Sequence, residues 1–265
     1  MNIYKWPIDE EIQGRLYAQA LEIFFPVASE PLKGQFISLL MQVMVKLQSL
    51  KYHMGEYQKK EEVHIQEVLK NIQQNQYVTI AALDLLYELE SFLFQFKSSL
   101  DLSVKFIDIL FPGKFKVQTF GNKGNDLIKG LERFNKGNAV KKDTVDSIIT
   151  MIREDQETWL SQAVKLRDDI AHYKTFLHYH YNVNQSGDEY LVTPPRVKGM
   201  TVLEYMNLVY QNCIEFLQDF MCLVIELHLP PVFCISSPSV IGVGEPLKKY
   251  IKFGLAHRGQ DNITC

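Results

Sequence analysis

Cysteine, net charge and uninterrupted apolar runs are all scarce in this chain, and each scarcity narrows what it can be. Four cysteines occur in 265 residues: Cys213, Cys222, Cys234 and Cys265. None forms a Cys-x-x-Cys pair and none stands at zinc-finger spacing from a histidine. Cys213 and Cys222 share one predicted helix, too far apart to bridge each other. Such sparse use suits a reducing compartment. The formal net charge is −3, which argues against a uniformly basic coat for nucleic acid but leaves room for a local patch. The two greasiest stretches are both interrupted. Residues 78–96 carry Asp84, Glu88 and Glu90, and residues 213–233 carry Glu215, Asp219, Glu226 and a Pro-Pro pair. Both read as buried helices rather than membrane spans. The opening Met1-Asn2-Ile3-Tyr4-Lys5-Trp6-Pro7 lacks the apolar core of a signal peptide, so the expectation is a cytoplasmic protein with no membrane.

Several catalytic signatures are missing as well. There is no Gly-x-x-x-x-Gly-Lys-Ser/Thr loop and no Gly-x-Ser-x-Gly elbow. Gly242-x-Gly244 has no following helix and is no dinucleotide fingerprint. No cysteine has a convincing histidine partner, and nothing sets two carboxylates beside each other as a dyad. No cofactor is expected.

What is present is core-forming material. Hydrophobic residues make up 46% of the chain, and the 16 Phe and 13 Tyr mean that large rings do much of the packing. Apolar residues Ile12, Leu16, Ala20, Ile23 and Phe24 repeat at helical spacing and stop at Pro26. Ser29 reads as the N-cap of a second helix with Phe36, Leu39, Leu40, Val43 and Leu47 on its apolar side. A separate charged helix follows near 58–74, with Val63, Val68, Leu69 and Ile72 together on one side. A long helix runs from about 78 to 111, apolar over much of its circumference, and Pro112-Gly113 ends it. Along it, Lys97 and Asp101 are four apart and can pair.

Residues 113–142 change character. Eight Lys or Arg stand against two acids, a local net of +6 in a chain whose total is −3. A solvated surface loop accounts for this composition, with a short helix around 126–134. The next helix opens at Asp143 or Thr144 and reaches about His172. Residues 175–183 then become β-like, a turn at 185–188 precedes Glu189-Tyr190-Leu191-Val192, and the pattern predicts a short hairpin. Thr201 caps a last helix to about 229, where Pro230-Pro231 stops it. A Pro/Ser/Gly-rich and then basic tail follows.

Near the end of the 143–172 helix stands Leu166-Arg167-Asp168-Asp169-Ile170-Ala171-His172-Tyr173. This Arg-x4-His spacing, with an Asp directly after the Arg, resembles the motif of the HEPN superfamily. The resemblance extends over the helices at 78–111, 143–172 and 202–229. It implies an all-α fold, a helical bundle with a small β-hairpin insert after the motif helix. The HEPN-like core is then 76–229; the resemblance does not account for residues 1–75, read as N-terminal helices that pack on the core, or for the tail at 230–265. Many members of that superfamily are metal-independent endoribonucleases. The implied activity is RNA cleavage in a toxin, defence or stress-response setting, by a homodimer joined through the motif face and opposed by a cognate inhibitor.

The chemistry suits those residue types. Without a metal, the ribose 2′-OH attacks the neighbouring phosphate, a base takes its proton and an acid protonates the leaving oxygen. Histidine does either job near neutral pH, and a guanidinium fork matches the oxygens of the charged intermediate. By resemblance His172 is the acid/base and Arg167 holds the phosphate. Asp168, one turn before His172, orients or charges the imidazole. Lys123, Lys129, Arg133 and Lys136 in the basic segment are candidate phosphate contacts, and His178 and His180 line the same cleft. The rival reading needs no catalysis. Cations in the last turn of a helix are favoured by its dipole, and Asp168 and Asp169 pair with Arg167 or Lys165. The chain is then a non-catalytic helical module that binds protein or nucleotide. A third reading makes His172, His178 and His180 metal ligands with an acid from another helix.

Overall fold

In the computed structural model, residues 7–73, 82–136, 141–172, 181–186, 189–236 and 247–258 are described below. The chain is mostly α-helical with only small strand pairs. Its N-terminal stripe forms α1 (Glu10–Ile12), a π-helical turn (Gln13–Ala18) and α2 (Gln19–Ile23), burying Ile12, Leu16, Ala20 and Ile23 as their spacing predicts.

The next two predicted helices are one. α3 (Glu30–Gln73) runs unbroken for 44 residues. Between Leu50 and Gln58 the chain has no proline, and the single Gly55 costs a helix interior only about 1 kcal/mol, too little to break it. Tertiary packing removes any reason to stop. Phe36, Leu40, Val43, Leu47, Leu50, Met54, Tyr57, Glu61, His64 and Val68 recur at alternating spacings of four and three, a heptad seam. That seam faces α4 (Leu83–Leu110), whose own seam includes Leu85, Leu89, Phe92, Phe96, Ser99 and Ser103. Val63, expected on the buried side with Val68, is exposed instead, because positions five apart lie about 140° apart around a helix.

The Gly/Asn/Lys segment is less of a loop than its composition suggests. Its lysines are largely outside, but Phe115, Val117, Phe120, Leu127, Ile128 and Leu131 are core. Phe115 stacks on Phe134 with ring centroids 4.8 Å apart, and the Phe120 amide donates to Asp101 Oδ1 at 2.7 Å. Asp101 also takes Lys97 Nζ at 2.5 Å, the expected i,i+4 pair. α5 (Asn125–Asn135) follows a left-handed turn at Asn122, Lys123 and Gly124.

The motif helix begins one residue early, at Lys142, with no side-chain cap. It consists of α6 (Lys142–Asp155), a π-helical turn (Gln156–Leu160) and α7 (Ser161–Ala171). Across the wide turn Trp159 Nε1 donates to Asp155 Oδ1 at 2.6 Å. β1 (Asn182–Ser186) pairs antiparallel with β2 (Glu189–Thr193), and β3 (Arg196–Val197) with β4 (Met200–Thr201). α8 (Val202–His228) starts at a capping box in which Thr201 and Glu204 satisfy each other's backbone amides. It is long and apolar enough to cross a membrane, yet 67% of its most apolar window is buried among the other helices, as a core helix would be. The tail contributes β5 (Phe233–Ser236) and β6 (Gly254–His257), paired antiparallel. Cys213 and Cys222 are buried free thiols, and burial pushes the Cys213 thiol up to about 12. Cys234 is disulfide-bonded, a pairing that sparse cysteine usage did not lead one to expect.

Candidate functional site

The end of α7 carries the motif, and α4 lies beneath it. Arg167 is half-buried. Its Nη1 donates to Asp168 Oδ1 at 2.9 Å, and its Cζ sits 4.8 Å from the centre of the Phe94 ring. An aromatic face attracts a guanidinium most where water is partly excluded. Arg167 Nε is buried with no hydrogen-bond partner, so the head group retains a donor with nothing to satisfy it. His172 follows as the C-cap of α7. Its backbone amide donates to the Asp168 carbonyl at 3.0 Å and its side chain is exposed. Asp168 therefore spends its carboxylate on Arg167, and its link to His172 runs through the backbone alone. Asp169 pairs with Lys165, as the helix-end reading has it.

α4 presents a further feature beside Arg167. Leu83, Tyr87 and Phe94 are all exposed, and spacings of four and seven put them on one stripe. Phe94 was not singled out by the sequence pattern. It sits in the dense run at 86–96, where every aromatic reads equally well as core, and only the packing of α7 marks it out.

The basic segment lies elsewhere. α5 packs chiefly on α6. Gln156 Nε2 donates to the Lys123 carbonyl at 2.6 Å, Arg153 pairs with Glu132 at 3.2 Å, and Asn135 Nδ2 donates to Asp146 Oδ1 at 3.3 Å. These contacts give the distances. At 1.5 Å per residue, Gln156 is about 24 Å and Asp146 about 39 Å along the helical rod from His172. Lys123, Lys129, Arg133 and Lys136 are thus not brought to the motif within one chain. Lys136 instead lines an open groove of about 510 Å³ between α5 and α6, with Lys142, Arg153, Asn135 and Asp146. Arg133 Nε folds back on the Lys129 carbonyl at 3.1 Å. His178 and His180 lie outside the described residues. Among the described residues no group of three His, Cys, Asp or Glu side chains is placed to hold a metal ion.

A second cluster was missed by the sequence reading. Where α3 meets α4, His53 Nδ1 lies 2.7 Å from Glu88 Oε2, and Lys60 pairs with the other oxygen. Partial burial opposes ionisation of Glu88, but the two basic partners hold its carboxyl below the usual range. One turn along, Glu61 and His64 are buried with Tyr57 and Tyr181. The available signal was the seam itself, in which 61 and 64 are polar at apolar positions.

Compared with known proteins, the chain matches no family model, no curated protein and no solved structure.

Proposed function

We propose that this chain is a HEPN-like helical bundle with a hairpin insert after the motif helix, and that it cleaves RNA without a metal. The observation that carries the reading is the setting of the motif's two basic side chains. Arg167 is positioned by Asp168 below and Phe94 beside it, with one donor unsatisfied, while His172 is exposed and no described residue hydrogen-bonds its imidazole. A positioned guanidinium and a solvent-exposed imidazole are what an in-line attack by a 2′-OH requires.

The two heads leave the helix about 140° apart, so one protomer offers half a cleft. The exposed stripe of Leu83, Tyr87 and Phe94 supports pairing with a second copy along α4, which would set two motifs opposite each other. RNA bound there reaches the α5–α6 groove only if it extends along the rod, so Lys123, Lys129, Arg133 and Lys136 act on longer RNA or not at all.

The deciding experiment is incubation of the purified protein with mixed RNA in excess EDTA, beside His172→Ala and Arg167→Ala. Cleavage by the parent protein that both substitutions abolish supports the reading. Cleavage that survives His172→Ala, or none by a folded parent, overturns it.

One observation favours a second reading. Arg167 already has an acid and an aromatic partner, so it can serve packing alone. The chain is then a non-catalytic module that binds protein or nucleotide through the same α4–α7 face.

A further inference from the structure

Two successive positions of the α3 seam hold Glu61 and His64 where the others are apolar or aromatic. Neither is solvated, with Glu61 9% and His64 7% accessible. Such groups destabilise a fold unless they are paired, and His64 Nε2 has no partner. Glu61 finds its partner from outside the seam. Tyr181, immediately before β1, donates its hydroxyl to Glu61 Oε1 at 3.2 Å, and Tyr57 donates to the same oxygen at 3.4 Å. The Tyr181 ring lies 4.6 Å from the His64 ring, and β2 packs on α3 nearby. The chain therefore enters the β1–β2 pair through a contact that ends on a buried carboxyl.

We propose that Glu61 and Tyr181 form a proton-operated latch holding the β1–β2 pair against α3. A neutral Glu61 accepts both hydroxyls with no charge enclosed. An ionised Glu61 places a charge in the seam, with Glu62 adding like charge from the same helix. Among the described residues no lysine or arginine of α3 or α4 pairs with it, and the base next to it in the seam is His64, whose ring lies against Tyr181. Glu88 on α4 is held by His53 and Lys60, and Asp84 also acts on Lys60. Burial accordingly raises the Glu61 pKa, against the two tyrosine hydroxyls, which lower it.

The direction follows from linkage. A carboxyl whose pKa is higher when latched binds its proton more tightly in that state. Its contribution is full at low pH and is lost as pH rises through the raised value. Tyr181 follows His172 by nine residues, at most about 30 Å of chain. The latch thus sets where the chain leaving the motif helix is tied down, and it stands whether or not the motif cuts RNA.

The test is amide hydrogen exchange of 182–186 and 189–193 in the full chain, corrected for the intrinsic pH dependence of exchange, from about pH 5 to about pH 8. The parent protein is expected to lose protection there as pH rises, by up to about tenfold for each unit of pKa elevation. Glu61→Gln, which keeps an acceptor but cannot ionise, is expected to show flat protection. Tyr181→Phe is expected to lower protection of the strand pair at the low-pH end, where the latch contributes, and to converge on the parent as pH rises, while leaving α8 unchanged. Parent protection that is flat with pH, a Glu61→Gln profile that still follows the parent's, or a Tyr181→Phe protein as protected as the parent at low pH would each overturn the proposal.

Discussion

Gln19 behaves toward Phe253 as a neighbouring β-strand would. Its Nε2 donates to the Phe253 carbonyl at 2.7 Å, and its Oε1 accepts the Phe253 amide at 3.1 Å. The same oxygen takes the Lys252 amide at 2.7 Å, and fully buried Gln19 is braced by Gln218, which also donates to the Tyr250 carbonyl at 2.9 Å. One side chain thus satisfies three backbone groups of a segment with no strand partner there.

Removing that side chain leaves those groups unpaired. Gln19→Ala is expected to lower unfolding free energy by about 3 kcal/mol, several unmet hydrogen bonds at about 1 kcal/mol each, as read by denaturant titration. Gly14→Ala attacks the same docking from another side, since a Cβ there would lie 2.4 Å from Tyr250 Cδ2. Limited proteolysis within 247–258 should rise in both variants. A tail as resistant as the parent's would show that these contacts do not hold it.

Arg167 and Phe94 offer a separate measurement of how far the motif arginine is structural. In a double-mutant cycle of Arg167→Ala and Phe94→Leu, the expected coupling is about 0.5–1 kcal/mol. A coupling near zero would mean that the ring does not position the guanidinium.

His172 should separate stability from function more cleanly. Its exposed side chain bonds no described residue, so His172→Ala is expected to alter stability by less than about 0.5 kcal/mol. Any loss of RNA cleavage in that variant then belongs to chemistry or binding. A large drop in melting temperature would refute the description of the side chain as free.

Asp155 gives a pH dependence of known sign. Burial raises its pKa against the Trp159 hydrogen bond, which lowers it, and Asp219, Glu154 and Glu215 add like charge. A carboxyl raised on folding contributes stability below its folded pKa and loses it as pH climbs past. Asp155→Asn keeps an acceptor for Trp159, so it should stabilise the protein at neutral pH, with the advantage shrinking on acidification. Melting curves across pH, followed by Trp fluorescence, would show the reverse trend if Asp155 were stabilising as a charge.

Much of the helical framework could be read from residues alone, because helix period and capping act over a few positions. The stripe from Ile12 to Ile23, the stop at Phe111 and the Thr201 cap all depend on local sterics and hydrogen bonds. The motif's place at the end of a helix was equally local. The unity of α3 was not, since it depends on a seam continued across α4 and no local breaker is needed to suggest two helices. Nor could the sequence say that Arg167 would meet Phe94, or that Lys123 to Lys136 would lie far from His172. Those facts depend on which helices become neighbours, and that is decided by burial summed over the whole chain. The clearest case is Glu61. A glutamate at position 61 reads as a solvated charge on a charged helix, and tertiary packing makes it a buried carboxyl that Tyr181 reaches from 120 residues away.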